Sequence, residues 1–132
     1  MDALHHVHGY GYVHNDLKAN NVVLEKREDE RLHPVLIDFG KSASFDKAKN
    51  PAAKPAHMKG QYKDSYIAPE LVDGTGKPSI KSDNYAFAFL VKTVYRLWEF
   101  KNIAMAVKNA LVTSPDKRPT IQELKADLSA DF

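Results

Sequence analysis

The chain has 132 residues, 43% of them hydrophobic and 27% charged, which is typical of a single soluble globular domain large enough to bury a core. It contains no cysteine, which excludes disulfides and thiolate chemistry and favours a cytoplasmic location, and its net charge of +2 is too small to predict a nucleic-acid partner. No apolar run approaches the roughly 20 residues of a membrane-spanning helix, and the first residues lack a signal-peptide pattern, so no membrane partner is expected.

The first predicted elements are a helix and a β-hairpin. Residues 1–8 are compatible with a helix that ends at Gly9. The β-branched runs at 22–24 and 35–37 are each bounded by polar residues and predict two short strands. The charged residues 25–31 between them predict a solvated connection, so the two strands are expected to form a hairpin.

This predicted hairpin places two polar side chains at one of its ends. Asn21 enters the first strand and Asp38 leaves the second. Because antiparallel strands begin and end at the same edge, Asn21 and Asp38 are expected to lie close together.

The rest of the chain is predicted to be mainly helical. Residues 41–63 are rich in lysine, alanine and proline and predict a long mobile loop. Residues 82–100 carry apolar side chains on nearly all faces, which predicts a helix buried at the centre of the domain. A second helical segment follows at 103–112, and Thr120 is predicted to cap an amphipathic helix that continues to Leu128. The fold class is therefore mainly α, with a small β component.

Three short strings carry most of the functional information, and they occur in the order His14-Asn15-Asp16-Leu17-Lys18-Ala19-Asn20-Asn21, Asp38-Phe39-Gly40 and Ala68-Pro69-Glu70. Each of the two shorter strings is by itself a common turn or helix start. The first string is more specific, because an acid, a lysine and an amide must fall at fixed offsets. Together the strings resemble the catalytic segments of eukaryotic-type protein kinases.

Two further matches extend the resemblance along essentially the whole chain. Asp83 resembles the aspartate that holds the backbone of the catalytic loop, and Glu70 with Arg118 resembles a buried ion pair. The resemblance implies the fold of the C-terminal kinase lobe, in which a helical bundle surrounds a buried central helix and a small β-hairpin carries the catalytic loop. It implies that residues 1–132 form a partial kinase domain from which the N-terminal lobe is absent.

The resemblance assigns roles to five residues. Asp16 would accept the proton of a substrate hydroxyl, and Lys18 would offset charge on the transferred phosphoryl group. Asn21 and Asp38 would supply oxygen ligands to Mg²⁺, and Val23 would lie beneath the adenine ring of ATP. Lysine two positions after the aspartate is typical of Ser/Thr kinases, so the expected partner is a protein substrate with a Ser or Thr hydroxyl.

Two aromatic matches are structural. His14 and Phe39 resemble buried residues that stack below the active site. We therefore expect both rings to be buried and in contact.

Besides the absent N-terminal lobe, which in the family holds most of the nucleotide, three departures and one mild change bear on activity. Asn15 stands where an arginine usually meets a loop phosphate, so control by loop phosphorylation is not expected. Lys63 stands where Ser/Thr kinases place a threonine that touches the catalytic aspartate. The interval from Asp83 to Arg118 is short, which predicts a reduced substrate-docking helix, and Ala88 replaces a glycine.

Two other function classes remain open at the level of sequence. One is a catalytically inactive, pseudokinase-like binding module, in which a partner covers apolar surface around Val23, Phe39 and His14. The other is a small-molecule kinase of related fold, which would phosphorylate a metabolite and no protein.

The histidines near the start of the chain could also be read as a metal site. Helical spacing puts His5 and His8 on one face, but no third ligand is spaced to join them. Solvated or packed histidines are the expected outcome.

Overall fold

The computed structural model describes residues 1–51, 65–95 and 99–130. The helices of these residues are α1 Asp2–Gly9, α2 Pro69–Val72, α3 Ile80–Val94, α4 Lys101–Ala110 and α5 Ile121–Ser129. Their strands are β1 Tyr12–Val13, β2 Val22–Lys26, β3 Leu32–Leu36 and β4 Ala43–Ser44, which pair as two small antiparallel sheets. The predicted mainly helical composition with a small β component is confirmed. None of the helices in this part of the chain combines the length and apolar character needed to cross a membrane.

The predicted β-hairpin is present, with longer strands than expected. β2 and β3 are antiparallel, with Val22 opposite Leu36 and Lys26 opposite Leu32. The prediction that Glu25 and Lys26 belong to a solvated connection was wrong, because both lie in β2. Their charged side chains stay exposed while the backbone satisfies its hydrogen bonds across the hairpin.

A second pair of strands was not expected. β1 pairs with β4, with Tyr12 opposite Ser44 and Val13 opposite Ala43. The prediction of a continuous loop over 41–63 was therefore wrong at residues 43–44, and its positions 52–64 lie outside the described residues. A two-residue strand has no periodicity of its own, so only its tertiary partner reveals it.

Helix α3 is buried through small and polar side chains. Its buried residues are Ser82, Asp83, Asn84, Ala86, Ala88 and Val91. The prediction that its large apolar side chains are all buried was wrong, since Val94 is exposed and Phe87, Phe89 and Leu90 are only partly covered. Small residues allow neighbouring backbone to approach the helix closely, so the larger side chains lie at the margins of the contact. The helix ends at Val94, earlier than the predicted residue 100, and 96–98 are outside the described residues.

The main core joins four helices to the loop that follows β1. Its buried apolar members are Leu4, Leu17, Ala86, Ala88, Ala106, Ala110, Ile121 and Leu124. Leu17 is the only one of these that comes from the loop, and it stands between Asp16 and Lys18 in the chain. Burial of a leucine side chain contributes about 1.5–3 kcal/mol, which fixes this loop against the helices.

Candidate active site

The loop that carries Asp16 is held by a carboxylate of α3. The Oδ2 atom of Asp83 accepts a hydrogen bond from the backbone N–H of His14 at 2.8 Å, and its Oδ1 atom accepts one from Asn15 at 2.9 Å. Nε2 of His8 donates to the same Oδ2 atom at 2.9 Å, which ties in α1. The predicted role of Asp83 as the support of this loop is confirmed. The support holds Asn15 at a φ of 65°, an uncommon backbone conformation that asparagine tolerates better than most residues.

The ring of His14 is fixed by two hydrogen bonds, one of which comes from the backbone of Asp16. His14 is fully buried, and its Nε2 donates to the carbonyl oxygen of Ile37 at 3.1 Å. Its Nδ1 is then an acceptor, and it receives the backbone N–H of Asp16 at 3.3 Å. The imidazole therefore links the Asp16 loop to the end of the hairpin.

Asp16 is 5% exposed, and its carboxylate receives donors on both oxygens. The hydroxyl of Tyr66 donates to Oδ1 at 2.9 Å, and Nζ of Lys41 lies 3.4 Å from that atom. Nζ of Lys18 is 3.9 Å from Oδ1, and Nδ2 of Asn21 donates to Oδ2 at 3.1 Å. The structure thus brings Asp16, Lys18 and Asn21 together, as the motif predicts.

These surroundings set the charge of the carboxylate. Burial alone would raise the pKa of Asp16, but the Tyr66 hydrogen bond and the positive charges of Lys41 and Lys18 outweigh it, so the pKa lies below its usual range. Asp16 is therefore ionised at neutral pH, and it can accept a hydrogen bond from an incoming hydroxyl.

Two oxygen-bearing side chains lie at the end of the hairpin nearest Asp16. Both side-chain hydrogen bonds of Asn21 come from its Nδ2, to the backbone oxygen of Asp16 at 2.7 Å and to its carboxylate, so the amide oxygen turns away from Asp16. The N–H of Ile37 donates to the backbone oxygen of Asn21 at 2.9 Å, which closes this end of the hairpin just before Asp38. Asp38 is exposed, and one of its oxygens accepts the N–H of Gly40 at 3.2 Å. An amide oxygen and a carboxylate oxygen are ligands that suit a hard divalent cation.

Of the apolar and aromatic side chains that the family resemblance places around the site, Phe39 is more exposed than expected. The rings of His14 and Phe39 are in edge contact, with centroids 4.9 Å apart. However, Phe39 is 49% exposed, so the expectation that both rings are buried was wrong for Phe39. Val23 is 43% exposed on β2, and the prediction that it contacts adenine stays a prediction.

Asn15 has a side-chain role that the sequence did not reveal. Its Nδ2 donates to the carbonyl oxygen of Lys49 at 2.8 Å and lies 3.4 Å from that of Lys41. The residue that replaces the usual arginine therefore holds the segment after Gly40 through backbone acceptors. Such contacts depend on the path of the backbone. They do not require any particular side chain in the segment, so the sequence gives no signal for them.

The predicted ion pair of Glu70 with Arg118 is confirmed. Nη1 of Arg118 donates to Oε1 of Glu70 at 2.8 Å and Nη2 donates to Oε2 at 2.7 Å, and both side chains are buried. This bidentate contact fixes α2. It also positions the residues just before α2, including Tyr66.

The histidines of α1 have protein partners. His8 is bound to Asp83, and Nδ1 of His5 lies 3.3 Å from Nε2 of Gln122 on α5. Both contacts join α1 to other helices of the core.

Comparisons with known proteins agree on one family. The family model of the protein kinase domain matches residues 1–103. Receptor-interacting serine/threonine-protein kinase 3 of Rattus norvegicus is 36% identical over 117 residues, which cover 87% of this chain and 23% of that protein. A probable LIM domain-containing serine/threonine-protein kinase of Dictyostelium discoideum is 34% identical over 122 residues, covering 91% of this chain and 11% of that protein. Cysteine-rich receptor-like protein kinase 27 of Arabidopsis thaliana is 38% identical over 88 residues, which cover 67% of this chain and 12% of that protein.

The family match covers most of the chain, while the chain spans less than a quarter of the length of these relatives (23%, 11% and 12%). The acid, lysine and amide of the first motif lie in one cluster, and Asp83 and Arg118 make the contacts that the motif order implies. Sequence comparison and site geometry therefore lead to the same assignment. The chain belongs to the protein kinase family.

Proposed function

We propose that this chain is the catalytic-loop part of a kinase that transfers the γ-phosphoryl group of ATP to a Ser or Thr hydroxyl of a protein substrate. The observation that carries the proposal is the Asp16 carboxylate, which is buried, has a pKa below its usual range and lies within 4 Å of the ammonium group of Lys18. An ionised acid beside a cation is what phosphoryl transfer to a hydroxyl requires of the protein.

In the proposed reaction, Asp16 acts on the substrate hydroxyl and Lys18 acts on the phosphoryl group. Asp16 orients the substrate hydroxyl and takes its proton as the oxygen forms a bond to the γ-phosphorus. The bond from that phosphorus to the bridging oxygen of ADP breaks, and the electron pair leaves with ADP. Lys18 lies close enough to offset negative charge on the phosphoryl group during the transfer.

Asn21 and Asp38 are the proposed ligands of Mg²⁺. The Asn21 amide oxygen faces away from Asp16, and Asp38 retains a carboxylate oxygen beyond the one bonded to Gly40, so this donor set fits the metal. When bound, Mg²⁺ would neutralise charge on the ATP phosphates. Val23, exposed on the hairpin, is the proposed contact of the adenine ring.

The exposed apolar side chains around the hairpin support the placement of residues 1–132 as the C-terminal lobe of a kinase domain. Val23 on the hairpin and Phe39 after it are 43% and 49% exposed, while Leu24 and Leu32 are exposed on the opposite face of the hairpin. Exposed apolar side chains on a hairpin indicate a surface that another part of the protein covers. The proposed cover is an N-terminal kinase lobe or a partner that occupies its place.

The test is phosphate transfer by the full-length protein that contains this chain. With labelled Mg-ATP and a mixture of protein substrates, Asp16→Asn is expected to lower the rate by about 10²- to 10⁴-fold, the usual contribution of a general base. Asp46→Asn is the matched control, because Asp46 is exposed on the segment after β4. Label should be recovered as phosphoserine or phosphothreonine. Undiminished transfer by Asp16→Asn would exclude the proposed role, and label found only in small molecules would favour a small-molecule kinase.

A further inference from the structure

Tyr66 contacts both side chains to which the proposed function gives chemical roles. Its hydroxyl donates to Oδ1 of Asp16 at 2.9 Å, and Nζ of Lys18 lies 5.8 Å from the centroid of its ring. We propose that Tyr66 is a positioning residue that fixes Asp16 and Lys18 relative to one another. This inference rests on the proposed function, since it concerns the two residues that the function uses.

The hydrogen bonds of the carboxylate show why Tyr66 matters for its orientation. Nδ2 of Asn21 holds Oδ2 of Asp16 at 3.1 Å, and the Tyr66 hydroxyl holds Oδ1. Two donors on opposite oxygens fix the plane of a carboxylate, whereas one donor leaves it free to rotate about the bonded oxygen. Lys41 and Lys18 also approach Oδ1, but at 3.4 and 3.9 Å and on long, partly exposed side chains. Tyr66 therefore supplies the shortest and most rigid of the three side-chain contacts to this oxygen.

The position of Tyr66 is itself well determined. Ile67 and Ala68, which follow it, are buried, and the Tyr66 ring packs against two apolar clusters of the core. The buried pair of Glu70 and Arg118 then fixes α2, which begins at Pro69. A tyrosine has only two side-chain torsions, so a fixed backbone and a packed ring together fix the position of the hydroxyl oxygen.

The Tyr66 hydroxyl does not prevent a substrate from reaching the same oxygen. A carboxylate oxygen has two lone pairs, so Oδ1 of Asp16 can accept from Tyr66 and from a second hydroxyl together. Lys41 can move aside for the second hydroxyl, because its contact is longer than that of Tyr66 and its side chain is exposed and flexible. The ring of Tyr66 meanwhile holds the Lys18 ammonium by a cation–π contact.

The first test compares kinetic constants of the full-length protein with Tyr66→Phe, which keeps the ring and removes the hydroxyl. We expect kcat to fall by about tenfold, since a small misplacement of a catalytic group is enough for such a loss. KM for ATP should stay within about twofold, because no nucleotide contact is removed. Tyr10→Phe is the matched control, since Tyr10 is 73% exposed and its ring contacts that of His6 on α1. A merely structural role would lower the melting temperature and the amount of active protein without this split between kcat and KM.

The second test is independent of phosphate transfer. In crystals of the nucleotide-free protein, the Asp16 carboxylate should have one orientation about χ2 in the wild type and a different or mixed orientation in Tyr66→Phe. An unchanged orientation in the variant, or a kcat that is unchanged or increased, would overturn the positioning role. If the wild type transfers no phosphate, the proposed function fails, and the carboxylate orientation still decides the role of Tyr66.

Discussion

Arg118 shows how single buried polar residues organise this protein. All five of its N–H groups have acceptors: two go to Glu70, and the others to the carbonyl oxygens of Val112, Lys81 and Thr113. Its guanidinium also lies 4.9 Å from the centroid of the Tyr85 ring. One side chain thereby connects α2, α3 and the segment before α5. A buried charge without such partners would cost several kcal/mol.

Replacement of this arginine by lysine should therefore be costly. Arg118→Lys keeps the positive charge but loses the bidentate contact and most of the bonds to carbonyl groups, so we expect a loss of about 3 kcal/mol in the free energy of unfolding. Urea denaturation of the full-length protein, followed by a signal of the kinase domain, measures this loss. Arg27→Lys is the control, because Arg27 is exposed on the hairpin and its change should cost less than about 0.5 kcal/mol. Equal losses for the two variants would contradict this account.

The candidate site was predictable from sequence where the chemistry depends on fixed local offsets. Asp16, Lys18 and Asn21 come from one short string, and the hairpin prediction was enough to expect Asp38 at the same end as Asn21. Tyr66 lies 50 positions from Asp16 in the chain, and its contact depends on the whole arrangement of α2 and α3. Contacts of this kind have no local pattern, so sequence reasoning could not find them.

At the scale of elements, helix starts were predictable only where the capping residues follow the usual pattern. The hydroxyl of Thr120 accepts the N–H of Glu123, and the Glu123 carboxylate accepts the N–H of Thr120, which confirms the predicted cap of α5. The same reciprocal contact starts α3 between Ser79 and Ser82. It was missed because serine stands in the place where glutamate or glutamine marks a capping box.

The cap of α5 gives a prediction that can be tested by a single substitution at the capping residue. Thr120→Ala removes the hydroxyl that satisfies the free N–H group of Glu123, and it should lower the free energy of unfolding by about 1 kcal/mol. Thr93→Ala is the matched control, because Thr93 is exposed in the last turn of α3, where alanine favours the helix. Chemical denaturation of the two variants should separate them, and an equal loss in both would argue against a capping role.

At the scale of the whole molecule, the candidate site is assembled from segments that are far apart in the chain. Asp16 follows β1, Asp38 follows β3 and Tyr66 precedes α2, while Asp83 of α3 and the buried side chain of Leu17 hold the central loop. The core therefore fixes the loop that carries Asp16, while apolar side chains of the β2–β3 hairpin stay exposed. This arrangement places the proposed nucleotide contacts on the exposed side and the acid beside the core.

The central claim is that Asn21 and Asp38 bind the magnesium nucleotide next to Asp16. Calorimetric titration of Mg-ATP into the full-length protein tests this claim most directly. The wild type and Asp38→Asn are compared with the control Asp73→Asn, because Asp73 is an exposed aspartate at the end of α2. Loss of a metal ligand should weaken binding by roughly tenfold or more, since even outer partners of a metal site contribute that much, while Asp73→Asn should bind as the wild type does. Equal affinities for the wild type and Asp38→Asn would contradict the account.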